Sequence, residues 1–160
     1  MKTFLYIAIS LVVGSITGFG AGIVAFPYLF PPPAVHEQVS DKESKKVVAT
    51  GKFIHANPSD PIHFGEGGLT IYNDLLHLQA DFKVGPGPKY HVYLVPETNV
   101  SPDTDIQNTM YVDLGRLKAF EGSQNYPIQN SINLNDYQSV VIWCEQFNVL
   151  ISPANISFSE

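Results

Sequence analysis

Few side chains in this 160-residue chain could do chemistry beyond packing: one cysteine, five histidines and two methionines. Cys144 closes the run Val140-Val141-Ile142-Trp143-Cys144, where the two-residue period of a strand puts it on one face with Val140 and Ile142. There a thiol packs as a small apolar group and is inert. Outside the cytoplasm a lone thiol must be buried, metal-bound or engaged in redox exchange, because one cysteine cannot make an internal disulfide.

Metal chemistry can be tested by spacing. A blue-copper site needs histidine or methionine just after its cysteine, and residues 145–160 hold neither. Covalent c-type haem needs Cys-x-x-Cys-His, which is absent. His55, His63, His77 and His91 come from separate segments, and no pair has the close spacing of structural zinc, so no metal ligand set emerges. An axial haem ligand drawn from these histidines, Met110 or Cys144 is compatible with the sequence, but no cofactor is identified by it. Asp103-x-Asp105-x-Gln107-Asn108 lacks the glycine and the final glutamate of a calcium loop. Gly65-x-Gly67-Gly68 is followed by neither Lys-Ser/Thr nor a helix start and reads as a turn between strands. With no Gly-x-Ser-x-Gly elbow and no His/Asp/Ser grouping, a hydrolase has no positive support. Asn99-Val100-Ser101 and Asn155-Ile156-Ser157 fit the glycosylation sequon.

The elements that must position these groups begin with residues 1–30. Phe4 to Phe26 carries no charge, and after Lys2 the next charged side chain is Glu37, beyond Pro31-Pro32-Pro33. As a helix this stretch is long enough to cross a bilayer, so residues 4–26 are expected to tether the chain to a membrane. Lys2 before the span and Glu37, Asp41 and Glu43 after it predict a cytoplasmic N-terminus and a periplasmic or extracellular C-terminal domain. The rival reading is a cleaved signal with Leu5 to Val13 as its apolar part, which would release a secreted domain. Gly14, Gly18 and Gly22 share one helix face and could let a second copy approach as a homodimer.

Residues 31–46 read as a Pro-rich, polar linker, and residues 47–160 as one domain large enough to build a core. The chain's formal net charge is −6 and Lys2 lies before the span, so the exported part is more acidic still, which argues against nucleic acid. Short runs of β-forming residues recur between Gly, Pro and Asn turns. They include Val47 to His55, Leu69 to Tyr72, Leu76 to Phe82, Tyr90 to Val95, Val140 to Cys144, Phe147 to Ile151 and Ile156 to Phe158. Val140 to Cys144 is the most apolar of them and should be a central strand buried on both sides. The expected fold is all-β, an antiparallel β-sandwich preceded by a single N-terminal transmembrane helix.

Several ordered fragments, taken together, resemble the DM-thirteen domain, the electron-transfer DM domain of Skeletor-type proteins. They are His63 with Gly67 and Ile71; Asp81-Phe82; Gly87-Pro88 leading to His91-Val92-Tyr93-Leu94; Leu114-Gly115-x-Leu117-Lys118; Gly122-x-Gln124-x-Tyr126; and Tyr137-x-Ser139 running into Cys144. The resemblance covers about Thr50 to Phe158, and its most specific block is Val140 to Cys144 with Phe147 and Ala154 downstream. It departs at Lys89, where the family usually has Asp, and at Tyr126-Pro127-Ile128, where Ile usually precedes Pro. The resemblance implies an extracytoplasmic β-rich module with a suggested redox role for the family's cysteine, here Cys144. The leading expectation is a membrane-anchored redox or electron-transfer accessory using Cys144, with a cofactor or partner protein as the carrier. The alternative is a non-catalytic adhesion or interaction domain in which Cys144 is structural. His63 or His91 beside the thiol, as a candidate cofactor contact able to lower its pKa, would favour the first; complete burial would favour the second.

Overall fold

The computed structural model describes residues 2–159. Helix α1 spans Lys2–Leu29 and outlasts the predicted span by a few residues: the Phe30 amide still donates to the Phe26 carbonyl at 2.9 Å. The helix is long and apolar enough to cross a membrane, and its most apolar window contains no buried residue. A helix that is oily on all sides has no face to turn to water, and a bilayer satisfies it without partners.

The rest is mostly β. Strand β1 (Val35–His36) lies in the segment read as linker, and β2 (Val47–Lys52) opens the expected domain. Next come β3 (Gly65–Glu66), β4 (Gly68–Tyr72), β5 (Leu75–Leu78), β6 (Lys83–Val84) and β7 (Tyr90–Val95). The chain closes with β8 (Val112–Arg116), β9 (Gly122–Pro127), β10 (Ser139–Cys144) and β11 (Val149–Phe158). Nine strands form one sheet in the order β1-β9-β5-β4-β2-β11-β10-β7-β8, with β3 and β6 as a separate pair. The all-β class therefore holds, and the layers expected of a sandwich are the facing walls of this single curled sheet. Strand twist, accumulated over nine strands, brings the β8 end of the sheet round toward β9.

The inside of the curl holds the main core, with Leu69, Ile71, Leu76, Leu78, Val92, Leu94, Val140 and Ile142 fully buried. A second cluster lies on the other side of β7 and β10, where Tyr93, Val95, Val141 and Trp143 pack with Val100 and Ile106 from the following segment. Strand β10 is thus covered on both faces and flanked by β7 and β11 on both edges, which is why its sequence is apolar without alternation.

Side chains, not a backbone ladder, close the seam of the curl. Gln124 on β9 is fully buried; its Oε1 accepts from the Lys118 and Ala119 amides at 3.0 and 3.3 Å and from the Tyr126 hydroxyl at 2.8 Å. Its Nε2 donates to the Ala119 carbonyl at 2.8 Å. At the other edge β1 runs parallel to β9, pairing Val35 with Gly122 and His36 with Ser123. Gly122 has φ +90°, and an added Cβ would meet the Val35 carbonyl, so both the backbone conformation and the close approach require glycine. The Glu37 carboxylate then accepts from Lys118 Nζ at 2.8 Å and from the Asn125 amide at 2.6 Å.

Two runs read as separate strands, Phe147 to Ile151 and Ile156 to Phe158, are one strand, β11. Pro153 lies inside it opposite Val141, next to a register shift at Ile142/Trp143, and its carbonyl accepts from the Ile54 amide. Conversely, the run Leu76 to Phe82 stops at Leu78: Ala80 is exposed, and the Phe82 amide donates to the Gln79 carbonyl in a turn.

Candidate functional site

Cys144 ends β10 opposite Tyr90 of β7, and both side chains join the main core. The thiol is 2% exposed and donates to the Pro88 carbonyl at 3.3 Å. Burial pushes its pKa up, offset in part by the backbone amides of Phe147 and Gln146 and reinforced by the charge of Glu145. In this conformation the sulfur is a protonated thiol, and a thiolate nucleophile is not presented.

The loop that covers it has a second side. Pro88 and Tyr90 line a groove of about 980 Å³ between the domain and the C-terminal half of α1, walled on the helix by Gly22, Ile23 and Phe26. One peptide layer thus separates the thiol from a space that the helix completes.

Neither candidate histidine is hydrogen-bonded to the sulfur. His91 sits opposite Trp143 on β10, one residue out of phase with Cys144, so alternation sends its ring to the other face of the sheet. There its Nδ1 lies 2.9 Å from Asp113 Oδ2 and its Nε2 3.5 Å from Glu145 Oε2. Glu145 also takes Lys89 Nζ at 3.0 Å and the Tyr93 hydroxyl at 2.9 Å, and the Tyr93 ring stacks on Tyr111 with centroids 4.5 Å apart. The Lys89 and Tyr93 hydrogen bonds hold the Glu145 carboxyl below the usual range. Burial and the bond to Glu145 push the Tyr93 phenol far above its ordinary value. Lys89 reaches this carboxylate from a left-handed backbone at φ +51°, a conformation that Asn or Asp adopts more easily than Lys.

His63 belongs to a third place. Its Nδ1 lies 2.6 Å from Asp60 Oδ2, and His55 Nε2 lies 2.7 Å from the Asp60 carbonyl oxygen. The His63 hydrogen bond, with the Ile62 and His63 amides, draws the Asp60 carboxyl down to about 2. His77 pairs with Asn125, and Met110 is exposed on the surface.

Ligand atoms of His91, Asp113 and Glu145 lie within 4.8 Å of one another, and among the described residues this is the set of His and carboxylate groups placed to share a cation. The Lys89 ammonium already occupies the carboxylate that such an ion would need, so the cluster as it stands is a closed ion-pair network. No local sequence pattern announces it. Asp113 and Glu145 reach His91 only through the pairing of β7 with β8 and β10, which spacing along the chain does not reveal.

A sequence profile of the family described as Electron transfer DM13 matches residues 59–156, which includes Cys144, His63, and the His91, Asp113 and Glu145 cluster. No curated protein matches the chain, and no solved structure does.

Proposed function

The chain belongs to the Electron transfer DM13 family, and on that premise we propose that it is a membrane-tethered, extracytoplasmic accessory domain for electron transfer with Cys144 as its redox group. The observation that carries this reading is the position of the thiol. It is held by the carbonyl of Pro88, and Pro88 also lines the groove against α1, so a displacement of one short loop would uncover the sulfur toward the anchor. With one cysteine in the chain, the second redox centre must come from another molecule. With a partner disulfide, the thiol would lose its proton and attack one sulfur, forming a mixed disulfide while the other sulfur leaves as a thiolate and is protonated. A bound cofactor is the other source of a carrier. The step is assigned to Cys144 alone, because His63 is bound to Asp60 and His91 to Asp113 and neither is hydrogen-bonded to the thiol. Lys2 on the near flank of the span, with no Lys or Arg between Leu29 and Lys42 on the other, supports an outward-facing domain.

A second reading has its own observation. At 2% exposure, among Val140, Ile142 and Tyr90, Cys144 also suits a packing role in a non-catalytic interaction domain. The two separate on the natively produced full chain: absorbance spectroscopy with elemental analysis, then electron flux to the membrane fraction with Cys144→Ser and Cys144→Ala. The redox reading expects both variants to fold and to lose flux. A colourless, metal-free protein whose folded variants keep full flux leaves only the packing role. Protease added to sealed, right-side-out vesicles should digest the domain; protection would refute the outward placement.

A further inference from the structure

The groove between α1 and the domain has a composition that selects its occupant. We propose that it binds one anionic phospholipid, with an acyl chain along the helix wall and the phosphate on Arg116; this rests on the reading that α1 lies in a membrane.

The helix contributes Gly18 and Gly22 together with Phe19, Ile23 and Phe26. A Cβ added at either glycine would meet nothing within 4 Å, so this side of the helix faces open apolar space and not packed protein. An apolar slot of about 980 Å³ beside a membrane helix fills with what surrounds that helix, the hydrocarbon of lipid tails.

The domain contributes charge of one sign. Beyond residue 47 the chain has five basic residues, and three of them, Lys89, Arg116 and Lys118, line the groove, which has no acidic residue in its wall. Lys89 and Lys118 are held by Glu145 and Glu37. The Arg116 side chain has no ion pair or hydrogen bond among the described residues, and its planar guanidinium suits the paired oxygens of a phosphate. An apolar slot ending at an unpaired arginine matches a molecule with an oily tail and an anionic head. A second copy of α1, the other occupant that a glycine face suggests, has no acidic residue between Phe4 and Phe26 to offer Arg116.

The test is native mass spectrometry of the full chain released from nanodiscs containing phosphatidylcholine and phosphatidylglycerol in equal amounts. The expected result is one retained phosphatidylglycerol per monomer. Arg116→Gln should lower its retention about tenfold, the loss of one charge-assisted contact, without affecting residual phosphatidylcholine. Gly22→Leu, which fills the slot from the helix side and leaves the domain untouched, should displace both lipids, whereas Gly14→Leu, outside the groove, should displace neither. Equal retention of the two lipids by the parent chain, or unchanged retention in Gly22→Leu, overturns the proposal. So does a lipid-free dimer that Gly14→Leu and Gly22→Leu both dissociate. Carbonate washing of source membranes separates the two levels: a chain that stays with the membrane but carries no lipid refutes this inference alone, and a chain that washes off refutes the membrane reading and this inference with it.

Discussion

Cys144 should react with a chromogenic aromatic disulfide about 30 to 900 times more slowly in the folded chain than in denaturant. The range comes from what holds the cover over it. The Gly85 amide donates to the Phe64 carbonyl at 3.0 Å, and the Glu145 amide to the Lys89 carbonyl at 3.1 Å. Lys89 adds a half-exposed ion pair to Glu145, and the thiol itself donates to Pro88. At a net contribution of about 1 kcal/mol for each backbone bond and less for the ion pair and the thiol, lifting Gly85 to Lys89 costs about 2 to 4 kcal/mol. That is well below the ~5 to 15 kcal/mol of global unfolding, so reaction should proceed by local opening and be nearly flat in low denaturant. The raised thiol pKa lowers the thiolate fraction and slows the native reaction further. The assay is stopped-flow thiol titration of the full chain in detergent at several denaturant concentrations, with Lys89→Ala expected to react several-fold faster. A native rate equal to the denatured one would refute the burial argument. A rate that falls steeply with stabiliser and follows global unfolding would refute the separable loop, and with it the route from thiol to groove.

Other outcomes follow from the same structure. Gln124→Met should cost about 2 to 4 kcal/mol in thermal or chemical unfolding, because it strands buried partners at the seam; Tyr126→Phe, which removes the bond to Gln124 and a longer one from the Lys118 amide that Gln124 still accepts, should cost about 1 kcal/mol, and equal effects would count against the seam. Gly122→Ala should destabilise by about 1 to 3 kcal/mol and free β1, seen as faster amide exchange at Val35 and Glu37, whereas Gly115→Ala, with no atom near its added Cβ, should leave β1 protected. Stability should form a plateau with two falling limbs. The Cys144 thiol and the Tyr90, Tyr93 and Tyr126 phenols have raised pKa values, so the unfolded chain ionises first and stability falls as pH rises past their ordinary values of 9.0 and 10.0. Asp60, Glu37 and Glu145 are lowered, so their contribution is complete above about 4.5 and is lost as pH falls toward 2. Denaturation midpoints measured across pH would contradict this if either limb were absent.

The strands that a reader of the sequence finds are those whose residues carry their own reason to be extended. Tyr90 to Val95 and Val140 to Cys144 are dense in β-branched and aromatic groups, and both are strands. The ones missed are held by their neighbours. Gly-Ser-Gln-Asn-Tyr-Pro of β9 has almost no β-forming residue, yet Gly122, Gln124 and Tyr126 alternate into the interior, and the polar Gln124 earns its place there through four hydrogen bonds. Pro153 falls between two runs read as separate strands, yet it lies within β11, where its carbonyl accepts from the Ile54 amide and no amide of its own is needed. Cys144 and its burial were legible from its neighbours at period two. The network around His91 was not, since three strands distant in sequence supply it.

The parallel pairing of β1 with β9 has a mechanical consequence. A floppy 16-residue leash would let the body wander over a radius of roughly 22 Å. Here only Pro31 to Ala34 separates the last helical hydrogen bond from β1, three of those residues are prolines, and the chain is stitched into the body from Val35 onward. With α1 in a bilayer, the body is kept close to the lipid surface, and the flank away from the short strap is the one left turned outward.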